Sequence, residues 1–364
     1  MKKVLINAEA LDRQYAGIHY YMKLLRLGFE TYYPDYPVYY IRDAGSQSGA
    51  HDLPVKSLLS KGRDPVKHLF YIPRLVRNFK PDVYVELTHL GPFRLPASVK
   101  RISVVHDLTP LTHPKFHPGY SSFLQKYLLK HSLHKADRIV ANSNNTCKDV
   151  QAHYPGSESK MEVIYPGIED FFKPTEDVGI LKRLKIKQPF LLSLSTIEPR
   201  KNLGCLLDAF EIFKKRTGAP HQLVLVGKGG WKNKEIFNRL ENHSFRKDIV
   251  LTAYLERDAL PVVFSACEAF VFPSWYEGFG FPVLEALSCG AACIISNTSS
   301  LPEVGGEAAV YFNPASAADL AEKVEMVIAN PGLKAGLKKK AGKQSALFSL
   351  QRFAAGFVDL FNRL

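Results

Sequence analysis

Two acids frame a glycine turn in the stretch SWYEGFGFPVLEA, residues 274–286: Glu277 lies at the turn and Glu285 eight positions later. The turn follows an apolar run and leads into a helical pattern, and the start of a helix favours negative charge. Two readings are open. Glu277 caps the helix, or the turn keeps its N–H groups for an anion and Glu277 serves something attached to that anion. If the whole segment were helical, the acids would stand roughly 12 Å apart. The carboxylate pair of a retaining glycosidase is only about 5–5.5 Å apart. The spacing therefore disfavours a hydrolytic pair and fits two separate acceptors of hydroxyl hydrogen bonds. Gly278 and Gly280 allow a ligand close to the backbone, and the helix entered near Pro282 points its N–H groups and positive end at the same place.

A second constellation is STIEPRKNL, where Arg200 and Lys201 follow an apolar run and precede a helical pattern. Adjacent cations in such a loop are often simply solvated. They also make a receptor for a diphosphate, the guanidinium binding two oxygens as a fork and the ammonium acting as a mobile point charge. The dipeptide alone does not decide between these readings.

Elements that could position these groups are legible as short aliphatic runs alternating with helical patterns. The strand candidates are residues 3–7, 82–87, 101–105, 138–142, 190–195, 222–227, 249–254, 269–273 and 292–296. The alternation predicts parallel sheets with helices on both faces, and the near-continuous apolar runs fit strands buried on both sides. The pattern pauses at YPGIEDFFKPTED (165–177), and a fresh α/β series follows. A boundary there gives domains 1–167 and 168–346, with an amphipathic helix over 347–364 packing back across the first. Turns that carry glycine or charge follow several strands directly. Ligands of open parallel sheets bind outside the carboxyl ends of the strands, so two such sheets facing across a cleft would line it with every candidate residue.

Bulk properties narrow the classes. The 364 residues are 46% hydrophobic and 23% charged, as in a soluble globular chain. No apolar stretch approaches the roughly 20 residues of a membrane span, and the apolar run near the N-terminus breaks at Asn7, which makes it a first strand and a poor signal peptide. The five cysteines form no CxxC pair; reduced thiols in the cytoplasm are the expectation, with no metal site implied. Residues 1–165 hold 23 Lys and Arg against 14 Asp and Glu, a surplus of +9 within a net charge of +13. That imbalance suits an anionic partner or a well-solvated surface equally.

The segment FVFPSWYEGFGFPVLEALSCGAACIISNTSSLPEVGGEAAVYFNP (270–314) closely resembles the signature of family 4 retaining glycosyltransferases of the GT-B fold. Glu277 and Glu285 match that family's E-x7-E, and VVHDLTPL, VIYPGIEDFFKP, TIEPRKN and LVLVGKGGW occur in the family's order. The resemblance covers essentially the full chain, strongly in the second domain and diffusely over residues 20–100. It implies a GT-B architecture of two Rossmann-like, doubly wound domains, the first for the acceptor and the second for a nucleotide-diphosphate sugar. Arg200 and Lys201 would neutralise the diphosphate, and Glu285 would bind the ribose. Glu277 would hold sugar hydroxyls with the N–H groups of Gly278, Phe279 and Gly280. In the first domain, Gly17 resembles the glycine that approaches the phosphates, and His106 the histidine beside the transferred sugar. The chain departs from the pattern at Ser195, where many members carry an Arg about six residues before the Lys; Arg200 is then left to supply that charge. The resemblance implies retention, no cofactor and no metal, which accords with the absence of any Asp-x-Asp in the chain. A hexose donor is expected, GDP-mannose favoured. The acceptor would be a glycan or lipid-linked glycan of a bacterial surface polysaccharide, met in the cytoplasm or at the inner membrane surface.

Other signals carry less. GKGGWKNKE lacks the P-loop pattern, and the prolines of HPKFHP (113–118) break the helix that would align its histidines as metal ligands. Tyr254 fits core packing better than a nucleobase contact. The run 119–139 reads as a buried helix, with a membrane-facing one as the alternative. Rival functions are a nucleotide-sugar epimerase of the same fold, a sugar-binding module without turnover, and a basic nucleic-acid-binding protein. Against the last stands the lack of any reader motif, so no nucleic acid is expected as a partner.

Overall fold

The computed structural model describes residues 1–13, 16–43, 49–55, 67–88, 91–92, 94–116, 125–252 and 255–364, without the side chains of 13, 16 and 125. Tyr254, the last two residues of HPKFHP and the first residues of the 119–139 run lie outside the described residues. The chain forms two compact units, one of residues 1–167 and 348–364, the other of residues 168–347.

The first unit is built on a seven-stranded parallel sheet in the order β3-β2-β1-β4-β5-β6-β7. Its strands are β1 (Val4–Asn7), β2 (Val38–Asp43), β3 (Asp52–Val55), β4 (Val83–Glu86), β5 (Lys100–Val105), β6 (Arg138–Ala141) and β7 (Met161–Val163). Val4, Leu5, Ile6, Val83, Val85, Val104 and Val140 are fully buried, as expected of strands covered on both faces. The helix Leu350–Arg363 packs on the helix Ala16–Tyr32 of the same unit. Its apolar face sets Phe353 edge-on to Tyr21 at 4.9 Å and stacks Phe361 on Phe29 at 6.1 Å. Gly28 permits the close crossing, because a Cβ there would stand 3.1 Å from the Ala354 Cβ. The described part of the 119–139 run buries Leu129 and Leu133 and leaves Tyr127 exposed.

The second unit has a six-stranded parallel sheet, β10-β9-β8-β11-β12-β13. These are β8 (Phe190–Leu194), β9 (Gln222–Val226), β10 (Ile249–Thr252), β11 (Ala269–Phe272), β12 (Cys293–Ser296) and β13 (Ala309–Phe312). The helix Leu203–Thr217 buries Leu203, Leu206, Leu207, Phe210 and Phe213 at helical spacing, and ends at Gly218 with φ +62°. In both sheets the winding reverses between two neighbouring strands: β1 and β4 in the first, β8 and β11 in the second. Such a switch point opens a crevice at the carboxyl ends of the strands, because the connections leave it in opposite directions.

Four strands lie outside the sequence candidates: β2, β3, β7 and β13. β2 mixes Arg and Asp with its aromatic residues. β3 contains Pro54, tolerated because β3 is an edge strand, and β7 is a three-residue edge. Among the described residues no helix is long and apolar enough to cross a membrane.

Candidate active site

The loops after β8 and β11, the two strands at the switch point of the second sheet, are laced together. Trp275 N–H donates to the Arg200 carbonyl at 2.9 Å. Asn202, itself at φ +55°, donates from Nδ2 to the carbonyls of Pro273 and Pro314 at 3.1 and 2.8 Å. Residues 198–202 are thereby fixed against residues 273–277, so the charged side chains of the two loops meet.

Where they meet, Glu277 sits between the two cations. Lys201 Nζ lies 2.6 Å from its Oε1, and Arg200 Nη1 lies 2.9 Å from its Oε2. Arg200 also donates from Nη1 to the Tyr276 carbonyl at 2.7 Å, and its Nη2 pairs with Glu198 at 2.9 Å. Glu198, Lys201 and Glu277 are all buried. Burial by itself would raise the Glu277 carboxyl, but Arg200 and Lys201 outweigh it and hold the group at about 2. Burial and the neighbouring Arg200 lower Lys201, against the pull of Glu277. Burial raises Glu198 in spite of Arg200 and Lys201. Two cations and two acids thus make a compact cluster in which each charge, buried or half-buried, has an opposite partner, the condition under which such charges can leave water.

The glycine turn is braced from the β12 side. Glu277 N–H donates to Ser299 Oγ at 2.9 Å, and Ser299 holds a left-handed φ of +52°. Ser300 Oγ lies 3.0 and 2.8 Å from the carbonyls of Glu277 and Phe279, which share its proton. Gly280 turns the chain into the helix Phe281–Ser288 at φ +106°, and a Cβ there would meet Leu301 Cδ2 at 2.9 Å. Glu285 is the fifth residue of that helix and is buried. Arg200, Lys201, Glu277, Gly278, Phe279 and Gly280 therefore all stand in the laced loops after β8 and β11, and Glu285 in the helix that follows. Ser195 ends β8 away from that lacing: its N–H donates to the Val226 carbonyl, and its own carbonyl occupies the space a Cβ on Gly227 would need.

The other two candidates belong to the first unit. His106 follows β5, is buried, and has Nε2 3.0 Å from the Leu87 carbonyl, with Tyr21 edge-on at 4.8 Å. A carbonyl only accepts, so Nε2 carries the proton. Burial pushes the imidazole down to about 4 against that bond, leaving it neutral near pH 7. Gly17 is exposed in the first turn of the helix Ala16–Tyr32, with open space where a Cβ would stand.

Sequence reading missed Glu198, Asn202, Ser299 and Ser300. It also missed a charged network at the carboxyl edge of the first sheet. There Lys67, fully buried, pairs with Glu9 at 2.6 Å and Asp43 at 2.5 Å, and His68 pairs with Glu9 at 3.1 Å. Despite burial, His68 and Lys67 hold the Glu9 carboxyl at about 2. Glu86 closes the switch point by accepting from Asn7 Nδ2 at 3.2 Å and Thr88 Oγ1 at 2.6 Å. Among the described residues no group of three or more His, Cys, Asp or Glu side chains is arranged to hold a metal ion.

Comparison with known proteins places this geometry in context. Residues 181–344 match the family described as Glycosyl transferases group 1, and residues 37–170 match Glycosyltransferase Family 4. The serotype-specific mannosyltransferase WbdA of Escherichia coli is 33% identical over 273 residues, which are 73% of this chain and 34% of WbdA. The chain thus corresponds to about a third of that relative's length. The O-antigen chain mannosyltransferase B of Escherichia coli is 31% identical over 245 residues, 66% of this chain and 63% of that protein. Among solved structures, the sucrose-phosphate synthase of Thermosynechococcus elongatus superposes with a TM-score of 0.81 at 18% identity, covering 99% of this chain and 98% of its own. Anabaena HepE in complex with UDP and glucose gives 0.77 at 16% identity over the whole of both chains.

Proposed function

The chain belongs to glycosyltransferase family 4 and has the GT-B fold, and from that premise we propose that it transfers a hexose, mannose in our reading, from a nucleotide-diphosphate donor to a glycan or lipid-linked glycan. The observation that carries the proposal is the buried Arg200–Lys201–Glu277 cluster at the switch point of the second sheet. The printed names of the WbdA and O-antigen relatives support mannose and a surface polysaccharide, and in our reading the reaction takes place in the cytoplasm or at the inner membrane surface.

In this reading the donor's diphosphate takes Lys201, and Glu277 exchanges its ion pairs for hydrogen bonds from sugar hydroxyls. Arg200, with three of its N–H groups on Glu198, Tyr276 and Glu277, keeps the loop in place and adds positive charge beside the phosphates. The bond between the anomeric carbon and the phosphate oxygen breaks, and its electron pair leaves with the diphosphate. The acceptor oxygen bonds the same carbon on the same face and gives its proton to the departing phosphate oxygen, so configuration is retained. Preorganised groups aimed at the developing charge contribute roughly 3–4 kcal/mol each: Lys201 and the N-terminus of helix Phe281–Ser288 at the diphosphate. Glu285 holds the ribose. By the family resemblance, His106, neutral and with its Nε2–H on the Leu87 carbonyl, accepts a hydrogen bond from a sugar hydroxyl without adding charge, and Gly17 leaves room for the phosphates.

A thermal-shift screen of GDP, UDP, dTDP and ADP tests the reading. We expect one of the four, GDP, to raise the melting temperature, and no shift with any of them would overturn the donor assignment. With the donor so identified, turnover should survive EDTA; loss of activity that added metal restores would contradict a metal-free reaction.

A further inference from the structure

The first unit carries a cleft at the end of its sheet remote from the carboxyl edge. It has a volume of about 280 Å³ and opens between the last turns of helix Ala16–Tyr32 and the starts of β2 and β3. Val38, the first residue of β2, lines it, whereas Asp43 at the other end of that strand belongs to the network around Lys67. Five residue steps at about 3.3 Å each separate the two ends, roughly 17 Å. The cleft is therefore distinct from the crevice at the carboxyl ends, where ligands of such sheets bind.

Its lining is selective. Tyr33, half-buried, supplies aromatic surface over the buried Phe29 and Tyr36, with Arg26, Glu30 and His51 as polar groups beside it. The aromatic floor is held from behind: Phe361 stacks on Phe29, and Tyr36 donates from its hydroxyl to Asn362 Oδ1 at 3.1 Å. Arg26 is neutralised in place, 2.7 Å from Glu30 and 2.9 Å from Asp52, so the cleft has no surplus cation to attract a phosphate or a nucleotide. The volume lies just below the range of about 300–1,000 Å³ for drug-sized ligands. Aromatic faces beside a few fixed donors and acceptors match a ring with apolar C–H faces and hydroxyls at its edge.

We infer that this cleft binds an uncharged sugar unit of the glycan substrate, at a place the transfer reaction itself does not use. The inference takes its ligand class from the transfer reading above. A hold on the chain away from the reacting end would keep a long acceptor on the enzyme between additions, and raise its effective concentration.

Direct titration decides it. The full chain is titrated calorimetrically, without donor, with α-linked mannotetraose, maltotetraose and cellotetraose; Tyr33→Ala and Ala50→Trp, which fills the cleft from its exposed rim, are titrated alongside. We expect one tetrasaccharide to bind the unaltered chain, and its affinity to fall at least tenfold in both variants. Transfer to a disaccharide acceptor should be unchanged, while KM for a long acceptor should rise. Unchanged affinity in both variants, absence of binding by all three oligosaccharides, or an equal loss with short and long acceptors would overturn the site. If Tyr33→Ala fails to fold, Ala50→Trp decides alone. Because the titration needs no donor, a chain without transfer activity would refute the reaction and leave this measurement intact.

Discussion

Lys201 Nζ and Glu277 Oε1 lie 2.6 Å apart although 76 residues separate them in the chain. Under the function proposed above, an incoming diphosphate takes the ammonium from Glu277, and the displaced carboxylate turns to the hydroxyls of the sugar that arrives with the phosphate. On that proposal, donor binding and the positioning of the sugar are coupled through one exchange of partners.

Glu277→Gln separates those two roles. Removing the charge frees Lys201 and Arg200 for phosphate, so nucleoside diphosphate affinity measured by calorimetry should hold or increase. Transfer should fall roughly 10²- to 10³-fold. The variant should remain folded by circular dichroism with a lower melting temperature, since it leaves the buried Lys201 without its carboxylate while Arg200 keeps Glu198. Normal turnover would remove Glu277 from the site.

Lys201→Ala should act in the opposite direction on binding. A hydrogen bond to a charged group is worth about 1.5–3 kcal/mol, so nucleoside diphosphate affinity should weaken roughly 10- to 100-fold. The free nucleoside should bind as before, because it lacks the phosphates. Equal affinity for the diphosphate in both proteins would exclude Lys201 from the phosphate site.

Asn202 tests the lacing of the loops. Asn202→Ala strands the carbonyls of Pro273 and Pro314, and each buried unpaired group costs about 1–3 kcal/mol. Urea unfolding should register that loss. kcat should fall more than the donor's Kd changes, because the loop after β8 loses its register against Glu277 while Lys201 retains its charge. Asn202→Asp, an acceptor where a donor is needed, should not rescue it.

Acid sensitivity follows from groups held below their ordinary values, Glu9, Glu277 and His106 among them. The Glu277 carboxyl sits at about 2 in the fold, below its ordinary 4.5, so its stabilisation is complete above about pH 4.5 and is lost as pH falls towards 2. His106 titrates at about 4 in the fold against an ordinary 6.5. The unfolded chain therefore takes up a proton that the folded chain refuses, and stability declines as pH falls from 6.5 to 4, with a slope of at most about 1.4 kcal/mol per pH unit. Melting temperature against pH should be flatter between about pH 5.5 and 6.5 in His106→Gln, and unaltered in shape there for Glu277→Gln, whose own effect begins below about pH 5.

The core of the candidate site was legible chiefly through the order of motifs that the chain shares with the family. By themselves the Arg–Lys pair fits a solvated loop and Glu277 a helix cap. The residues that hold them were not legible. Glu198 looks like any loop acid, and Asn202, Ser299 and Ser300 like turn formers; their partners lie up to 112 positions away. Lys67 was hidden for the same reason, since nothing local announces a fully buried lysine between Glu9 and Asp43. Strands failed to register where burial is partial, as at β7, or where proline sits on an edge, as at β3.

The helix Leu350–Arg363 carries a consequence for biosynthesis. It covers Tyr21 and Phe29 with Phe353 and Phe361, which are synthesised 332 residues later. The second unit, residues 168–347, can fold before this helix emerges from the ribosome, but the first must wait for it with an aromatic seam open. A nascent chain stalled before Leu350 should therefore recruit chaperones through its first unit.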